Sequence, residues 1–499
     1  MSTTKLYEDY KTHIQKIADV KYALAVLQWD QETYMPVHGA GARARQVATL
    51  SEIAHELFTA TSFKNILLEL GSRNDLDALQ QKNIALSWYD YTQQEKLPAD
   101  FVRSMSEVVS KSYQSWLQAR KENSFDVFAP DLAELVELKK REAELLGYEQ
   151  HPYNALLNQY ERGCTTDLLD KTFTAIQAPL KELLCKITTM PQVDDAFLQQ
   201  TFPKQQQWEF GMELLKLLNF DFEAGRQDIS EHPFTTNFSS RDVRVTTRIS
   251  ENDFGNMTWS CIHECGHALY EQGLPDDAYG LPLGEYTSLS IHESQSRLWE
   301  NNVGRSMQGW EYLFPVAQRY FPAQLGGVSL QQFYKGINKV QPSFIRTEAD
   351  ELTYHFHVII RYELEKKLIA GELIVKDIPA YWNQQYKALL GVDVPNNKQG
   401  CLQDVHWSHG SFGYFPTYSL GSFYAAQFFA AAQKQVPEIS PEIRKGNYKP
   451  LLSWLRTYVH AHGRRYTSEE LCLQITGEPL NMKHFLQYAL DKYKMIYEF

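Results

Sequence analysis

Five consecutive residues have the types and the spacing of a metal-binding catalytic motif. They are His263, Glu264, Cys265, Gly266 and His267, in the order H-E-x-x-H. Residues four apart lie on one face of an α-helix, so both imidazoles can bind the same ion. Glu264 lies beside these ligands, where its carboxylate can take a proton from a water molecule at the metal. The motif predicts metal-assisted hydrolysis; the alternative is a surface helix with two solvated histidines.

The residues around the motif indicate where its helix begins and ends. Asn256 or Thr258 can cap the N-terminus, and Gly273 can end the helix in a left-handed conformation. Gly266, between the two histidines, lowers the helix propensity. We therefore expect a single helix to present both histidines.

A catalytic zinc needs a third protein ligand and an open position for water. Residues 287–303 predict a second helix, and Glu293 on this helix is the best candidate ligand. Glu285 is the competing candidate, whereas Glu271 lies too close to the motif. His292 is adjacent to Glu293 and points elsewhere on a helix. The alternative for Glu293 is a solvated glutamate without a function.

The composition is that of an ordinary globular protein, and 499 residues allow a large core. The net charge of −12, without a basic block, argues against nucleic acid as the main partner. Six scattered cysteines predict thiols in a reducing compartment rather than a disulfide scaffold. The N-terminus lacks an apolar signal core, and no apolar run approaches the roughly 18 residues that span a bilayer. We expect a cytoplasmic protein without a membrane partner.

Two kinds of periodicity organise the chain. From residue 4 to about 230, apolar residues recur at three and four positions, which predicts almost continuous helix with short breaks. Short connections between helices favour a single domain over residues 1–499, with the active-site region at about 232–420. Residues 242–249 instead alternate between apolar and polar, which predicts a strand. This strand could line a cleft and pair with an extended substrate, or it could belong to a small structural sheet.

Two later segments carry residues that could bind or stabilise a substrate. Residues 344–369 predict a helix on which Arg346 could clamp a carboxylate or pair with Asp350 at the surface. Residues 400–430 predict a loop followed by a helix, with an unusual mixture of Gly, His, Trp and Tyr. His406 or a tyrosine hydroxyl in this segment could stabilise an oxyanion. The alternative is aromatic core beneath a loop.

Six motifs in this order resemble the carboxypeptidase Taq family of metallocarboxypeptidases. They are His232-Pro233-Phe234, Asp242-x-Arg244-x-Thr246, His263-Glu264-x-x-His267, His292-Glu293-Ser294-Gln295, Ile345-Arg346-x-x-Ala349-Asp350 and Gly400-x-x-Gln403-Asp404-x-His406-Trp407. The resemblance extends over nearly the whole length. At the metal and base positions the sequence does not depart from the family pattern.

The resemblance implies a mainly α, two-lobed helical body with a deep substrate groove and a small β-sheet beside the metal site. This layout is similar to that of angiotensin-converting enzyme and neurolysin. It also implies one divalent ion held by His263, His267 and Glu293, with zinc as the expected ion and cobalt or manganese as alternatives. Glu264 is then the general base. The implied activity is the removal of single residues from peptide C-termini, with broad specificity, by a homodimer.

The resemblance also suggests residues that contact the substrate. Arg346, with Arg244, is expected to hold the terminal carboxylate. The other expected substrate contacts are His232 and Tyr414, and the expected oxyanion stabilisers are His406 and Tyr418. A thimet-type oligopeptidase, which would cut internally, is the rival enzyme. A helical binding protein with a structural zinc is the non-enzymatic rival, but such sites usually have four Cys or His ligands and a fourth is not visible.

Overall fold

The computed structural model describes residues 1–499, and most of the chain is helical. The α-helices are α1 (Thr3–Thr33), α2 (Ala40–Thr59), α3 (Thr61–Gly71), α4 (Ala78–Glu95), α5 (Ala99–Glu122), α6 (Phe125–Leu146), α7 (Tyr153–Tyr160), α8 (Thr166–Thr188), α9 (Lys204–Leu217), α10 (Phe254–Glu271), α11 (Leu289–Arg297), α12 (Met307–Tyr320), α13 (Pro322–Leu325), α14 (Leu330–Ile337), α15 (Tyr354–Ala370), α16 (Ile378–Leu390), α17 (Pro416–Gln435), α18 (Ile439–Ile443), α19 (Lys449–Tyr458), α20 (Ser468–Thr476) and α21 (Met482–Tyr497). The strands are β1 (Gly225–Ile229), β2 (Thr235–Ser239) and β3 (Asp242–Thr247). This architecture confirms the predicted mainly α fold with a small sheet. None of the helices combines the length and the apolar character that crossing a membrane requires.

The backbone divides into two compact units, each assembled from three stretches of chain. Unit 1 comprises Met1–Glu95, Asp194–Ile337 and Ala425–Pro479. Unit 2 comprises Lys96–Val193, Asn338–Tyr424 and Leu480–Phe499. Neither unit is a continuous piece of chain, and the single domain over residues 1–499 stays a prediction.

The three-stranded sheet lies in unit 1, with the strand order β1-β3-β2. β3 is the predicted strand, and its residues Val243 and Val245 are buried. It runs parallel to β1 and antiparallel to β2. Both edges of β3 are therefore bonded to protein strands, so of the two alternatives for this strand the structure favours the small structural sheet over pairing with an extended substrate. β2 is an edge strand, and β2 and β3 both contact α10.

The motif helix α10 begins and ends differently from the sequence-based expectation. Asp253 caps its N-terminus, since this side chain accepts a hydrogen bond from the backbone of the first turn. Asn256 and Thr258 lie inside the helix instead. Gly273 follows the helix without a positive φ, so it is not a left-handed terminator. Its role is steric, because a Cβ at Gly273 would lie 2.3 Å from His460 Nδ1.

Two other predicted helices differ in detail. The helix expected over 287–303 is present as α11, followed by a π-helical turn over Leu298–Val303. The helix expected from 344 starts only at Tyr354. The carboxylate of Asp350 accepts backbone hydrogen bonds from Leu352 and Thr353, and this local turn competes with a helix.

Candidate metal centre and active-site residues

α10 presents His263 and His267 side by side, and α11 brings Glu293 to them. The Nε2 atoms of the two histidines lie 3.7 and 3.5 Å from Glu293 Oε2. One donor atom from each of the three residues lies within 4.8 Å of the other two. Two imidazoles and a carboxylate are a donor set of catalytic zinc that leaves a position open for water. These residues therefore fit the divalent ion expected from the sequence.

Glu285, the competing third ligand, lies outside this cluster. Its Oε2 lies 3.2 Å from Arg464 Nη1, and 52% of its side chain is exposed. Of the two candidates, Glu293 is the one that lies with the histidines.

Gly266, between the two histidines, allows α11 to approach α10 closely. A Cβ at this position would lie 2.6 Å from Ser296 Cα and 2.7 Å from Gln295 O, which are both backbone atoms of α11. Non-bonded carbons are stable at about 3.5–4.0 Å, so a side chain here would push the two helices apart. The close approach explains why a residue of low helix propensity lies in the middle of α10, and it holds Glu293 near the histidines.

Glu300 orients the first ligand from the π-helical turn. Its Oε2 lies 2.9 Å from His263 Nδ1. Because a carboxylate only accepts hydrogen bonds, Nδ1 carries a proton, and Nε2, which faces Glu293, is the nitrogen that would bind a metal. Glu300 also pairs with Arg297 and Arg305. Burial opposes ionisation of Glu300, but Arg297, His263 and Arg305 together lower its pKa to about 2.

A chain of three hydrogen bonds orients the second ligand. His267 Nδ1 lies 2.6 Å from His292 Nδ1, and His292 Nε2 lies 2.7 Å from Glu271 Oε1. Asn237 donates from Nδ2 to the other oxygen of Glu271 at 2.7 Å. Because Glu271 accepts, His292 donates from Nε2; with His292 Nδ1 as the acceptor of the next bond, His267 carries its proton on Nδ1. Burial lowers the pKa of His267 to about 3, so this imidazole is neutral and can bind a metal through Nε2.

Arg297 holds the third ligand in its ionised form. Its Nε donates to Glu293 Oε1 at 2.6 Å, and Ser296 Oγ lies 3.2 Å from Oε2. Burial opposes ionisation of Glu293, but the guanidinium and the two histidines hold its pKa well below the usual range. The carboxylate therefore carries the negative charge that a divalent ion requires.

Glu264, the candidate base, is adjacent to the first ligand and is only 8% exposed. Thr235 Oγ1 lies 2.6 Å from its Oε2, whereas its Oε1 accepts no hydrogen bond from a protein group. Burial raises the pKa of Glu264 above its ordinary value. A raised pKa suits a carboxylate that must take up a proton and then release it near neutral pH.

His232 and Arg244 are the expected substrate contacts of unit 1. The His232 side chain is exposed and makes no hydrogen bond within the protein. Arg244 donates from Nε and Nη2 to the two oxygens of Asp242, at 3.0 and 2.9 Å. Its guanidinium lies 4.4 Å from the ring centre of Trp29 and 4.8 Å from that of Phe238. A substrate carboxylate would have to compete with Asp242 for Arg244.

Arg346 is a buried arginine of unit 2, with 6% of its surface exposed. It donates from Nε and Nη2 to Asp404 Oδ1 at 3.0 and 2.8 Å, and from Nη1 to Tyr354 OH at 3.1 Å. Arg361 Nε donates to the other oxygen of Asp404 at 2.7 Å. The alternative of a surface ion pair between Arg346 and Asp350 is therefore wrong. Two arginines share one aspartate, and these three groups together carry one excess positive charge.

His406, Tyr414 and Tyr418 lie together in unit 2. His406 Nε2 lies 3.1 Å from the Tyr418 hydroxyl. The ring centre of Tyr414 lies 5.4 Å from that of His406 and 5.2 Å from that of Tyr418. Burial lowers the pKa of His406 to about 3, aided by Arg346 and Arg361 against the opposing effect of the nearby aspartate. The imidazole is therefore neutral and can act as a hydrogen-bond donor.

Glu365 anchors the segment that follows His406. This fully buried carboxyl group accepts hydrogen bonds from Trp407 Nε1 and Gly413 N, both at 2.8 Å, and from Tyr153 OH at 2.5 Å. Burial raises the pKa of Glu365 to about 7. No sequence motif points to this residue, since it lies in an ordinary helical stretch.

The orienting role of His292, Glu271 and Glu300 was not predicted from the sequence, which offers the first two only as rejected metal ligands and does not point to the third. One signal could have found Glu271, because it follows His267 by four positions and shares its face of α10. Nothing in the spacing shows that His292 reaches back from α11 to connect these two residues.

Comparisons with known proteins identify the family to which the chain belongs. A sequence model of the carboxypeptidase Taq (M32) metallopeptidase family matches residues 9–493. The chain is 39% identical over 487 residues to "Thermostable carboxypeptidase 1" of Thermus thermophilus, covering 95% of each chain. A solved structure described as "The Structure of CHT" is 60% identical with a TM-score of 0.97, covering 98% of this chain and 99% of that one. The crystal structure of an M32 carboxypeptidase from Deinococcus radiodurans is 37% identical with a TM-score of 0.97, covering 99% and 100%. The chain therefore belongs to the carboxypeptidase Taq family of metallopeptidases.

Proposed function

We propose that this chain is a metal-dependent carboxypeptidase that releases single amino acids from peptide C-termini with broad residue specificity. The observation that carries the proposal is the cluster of donor atoms from His263, His267 and Glu293, with buried Glu264 next to the first ligand. Membership of a carboxypeptidase family, and a similar protein named a carboxypeptidase, support peptide C-termini as the substrate.

His263, His267 and Glu293 would hold the ion, with zinc as the expected ion and cobalt or manganese as alternatives. When bound, the ion supplies a Lewis acid to the site. Two carboxylates of the protein orient the histidine ligands. Glu300 directly, and Glu271 through one further imidazole, hold a proton on Nδ1 of each histidine, so the Nε2 atoms are the nitrogens that would bind the ion.

Glu264 is proposed as the general base and then as the general acid. Its Oε1 can accept the proton of the attacking water, and the same carboxyl group then gives that proton to the leaving amine. Burial supports this exchange because it raises the pKa of Glu264. Glu264→Gln should keep the bound metal and lower turnover by about 10²–10⁴-fold.

In unit 2, we propose that Arg346 binds the terminal carboxylate of the substrate and that His406 and Tyr418 stabilise the oxyanion. The excess positive charge of Arg346, Arg361 and Asp404 supports the first role, since it attracts an anionic group. For the second role, His406 Nε2 and the Tyr418 hydroxyl lie 3.1 Å apart, and both the neutral imidazole and the phenol can donate a hydrogen bond to an anionic oxygen.

The remaining proposals concern further contacts and assembly. The proposed additional substrate contacts are Arg244, His232 and Tyr414. Arg244→Lys keeps the charge but loses the planar fork, so it should raise KM if this arginine exchanges Asp242 for the substrate. The proposed homodimer is tested by sedimentation analysis, in which a monomer at all concentrations would contradict it.

Product analysis tests the proposed function. One unblocked peptide and its C-terminal amide are incubated with the protein, with and without a chelator, and the products are identified by mass spectrometry. We expect single-residue loss from the free acid only, abolished by the chelator. Internal cleavage of both peptides would instead identify an oligopeptidase. No cleavage with the ion bound would favour a binding protein.

A further inference from the structure

Thr235 is the first residue of β2, and its hydroxyl reaches the side chain of Glu264. Thr235 Oγ1 lies 2.6 Å from Glu264 Oε2 and 3.0 Å from the Glu264 backbone oxygen. No other protein group donates a hydrogen bond to this carboxylate. The contact therefore determines that Oε2 faces β2 and leaves Oε1 for proton exchange.

Two of the sequence motifs hold Thr235 in place. Thr246, the last residue of the motif at β3, accepts a hydrogen bond from Phe234 N at 2.9 Å, and its own backbone N donates to Phe234 O at 2.9 Å. Ser230 Oγ lies 2.7 Å from Thr246 Oγ1 and 2.6 Å from the His232 backbone oxygen. These bonds fix the turn between β1 and β2, and the turn leads directly into Thr235.

The face of β2 that carries Thr235 follows α10 along its length. Asn237, two residues later and hence on the same face, donates to Glu271, seven positions after Glu264 on α10. Thr236 lies between them on the opposite face, and its side chain makes no hydrogen bond within the protein. The strand thus contacts α10 through alternate residues, and Thr235 is the one that contacts the candidate base.

We infer that Thr235 is a positioning residue for the general base, an inference that rests on the proposed role of Glu264. The hydroxyl donates to Oε2 and restricts the rotation of the glutamate side chain, so that Oε1 stays in one orientation. Without this bond the carboxylate occupies more rotamers, and the geometry for proton transfer is populated less often. Loss of one hydrogen bond to a charged group corresponds to about a tenfold decrease in kcat.

Thr235→Val removes the hydroxyl and nearly keeps the shape of the side chain. We expect kcat to fall about tenfold while KM and the bound metal stay unchanged. Thr235→Ser retains a hydroxyl and should recover most of kcat. Thr236→Val is the matched control, because it makes the same substitution on the same strand without a contact to Glu264, and it should keep the wild-type kcat.

A double substitution separates positioning from a general effect on the fold. In a Glu264→Gln background, Thr235→Val should have little further effect on the residual kcat, because Thr235 acts through the carboxylate. A further tenfold loss in that background, a loss of bound metal, or a kcat for Thr235→Val equal to that of Thr236→Val would overturn the inference. Wild-type kcat in Glu264→Gln alone would overturn the proposed base and this inference together, so the two failures are distinguishable.

Discussion

Gly266→Ala tests how α10 and α11 bring the metal ligands together. The added Cβ would lie 2.6 Å from Ser296 Cα and 2.7 Å from Gln295 O. Since non-bonded carbons are stable at about 3.5–4.0 Å, the two helices must separate by about 1 Å. Glu293 lies on α11, three residues before Ser296, so its carboxylate moves away from the histidines with the helix.

The expected change in stability has two parts of opposite sign. Alanine inside a helix is more stable than glycine by about 1 kcal/mol, whereas overpacking costs about 1–3 kcal/mol. Gly41→Ala is the control, because Gly41 lies in the first turn of α2 and a Cβ there has no neighbour within 4 Å. Both variants gain helix propensity, but only Gly266→Ala places a Cβ against a neighbouring backbone. The free energy of unfolding of Gly266→Ala should therefore be lower than that of Gly41→Ala by about 1–3 kcal/mol.

Metal affinity is the second measurement on these variants. Displacement of one ligand by about 1 Å should weaken binding by about tenfold or more, measured by competition with a chelator of known affinity. Gly41→Ala should bind as the wild type does. The reasoning is refuted if Gly266→Ala binds metal with wild-type affinity and matches Gly41→Ala in denaturation, because the close approach of α10 and α11 would then not position Glu293.

Three further substitutions test other parts of the account. His292→Phe removes the acceptor for the Nδ1 proton of His267 and should weaken metal binding by about 10–100-fold in the chelator assay; unchanged affinity would contradict the orienting role. Glu365→Gln tests a pH effect, because burial raises the pKa of Glu365 from 4.5 to about 7 and the folded protein binds a proton that the unfolded chain releases. As the pH rises from 4.5 to about 7, the thermal midpoint of the wild type should decrease relative to that of the variant, and above this range the difference should stay constant. Parallel plots of thermal midpoint against pH for the two proteins would refute this linkage. Asp404→Asn leaves two buried arginines without their shared carboxylate and should lower the free energy of unfolding by about 3–5 kcal/mol; equal denaturation midpoints would show that the pairing is dispensable.

The motif helix and its two histidines are predictable from the sequence because helical periodicity alone determines that His263 and His267 share a face. The choice of the third ligand is not determined in this way. Glu285 and Glu293 both follow the motif, and the difference between them depends on where α11 packs against α10. That packing is centred on Gly266, whose cost in helix propensity is visible in the sequence while its steric role is not.

The contacts around the ligands depend on tertiary structure and could not be predicted. Asn237, Glu271 and His292 come from a strand and two helices, and only the folded chain joins them in one hydrogen-bonded chain. For Arg346, the four-residue spacing favours a pair with Asp350, but this segment is not an α-helix. The spacing rule fails there because the helical periodicity that it assumes is absent.

The most direct test of the central claim measures bound metal and turnover on the same samples. The claim is that His263, His267 and Glu293 hold a catalytic ion beside Glu264. Glu293→Ala should lose both metal and turnover, whereas Glu264→Gln should keep the metal and lose about 10²–10⁴-fold in turnover. Glu285→Ala, the control at the rival position, should keep both. Full metal content in Glu293→Ala, or wild-type turnover in Glu264→Gln, would contradict the account.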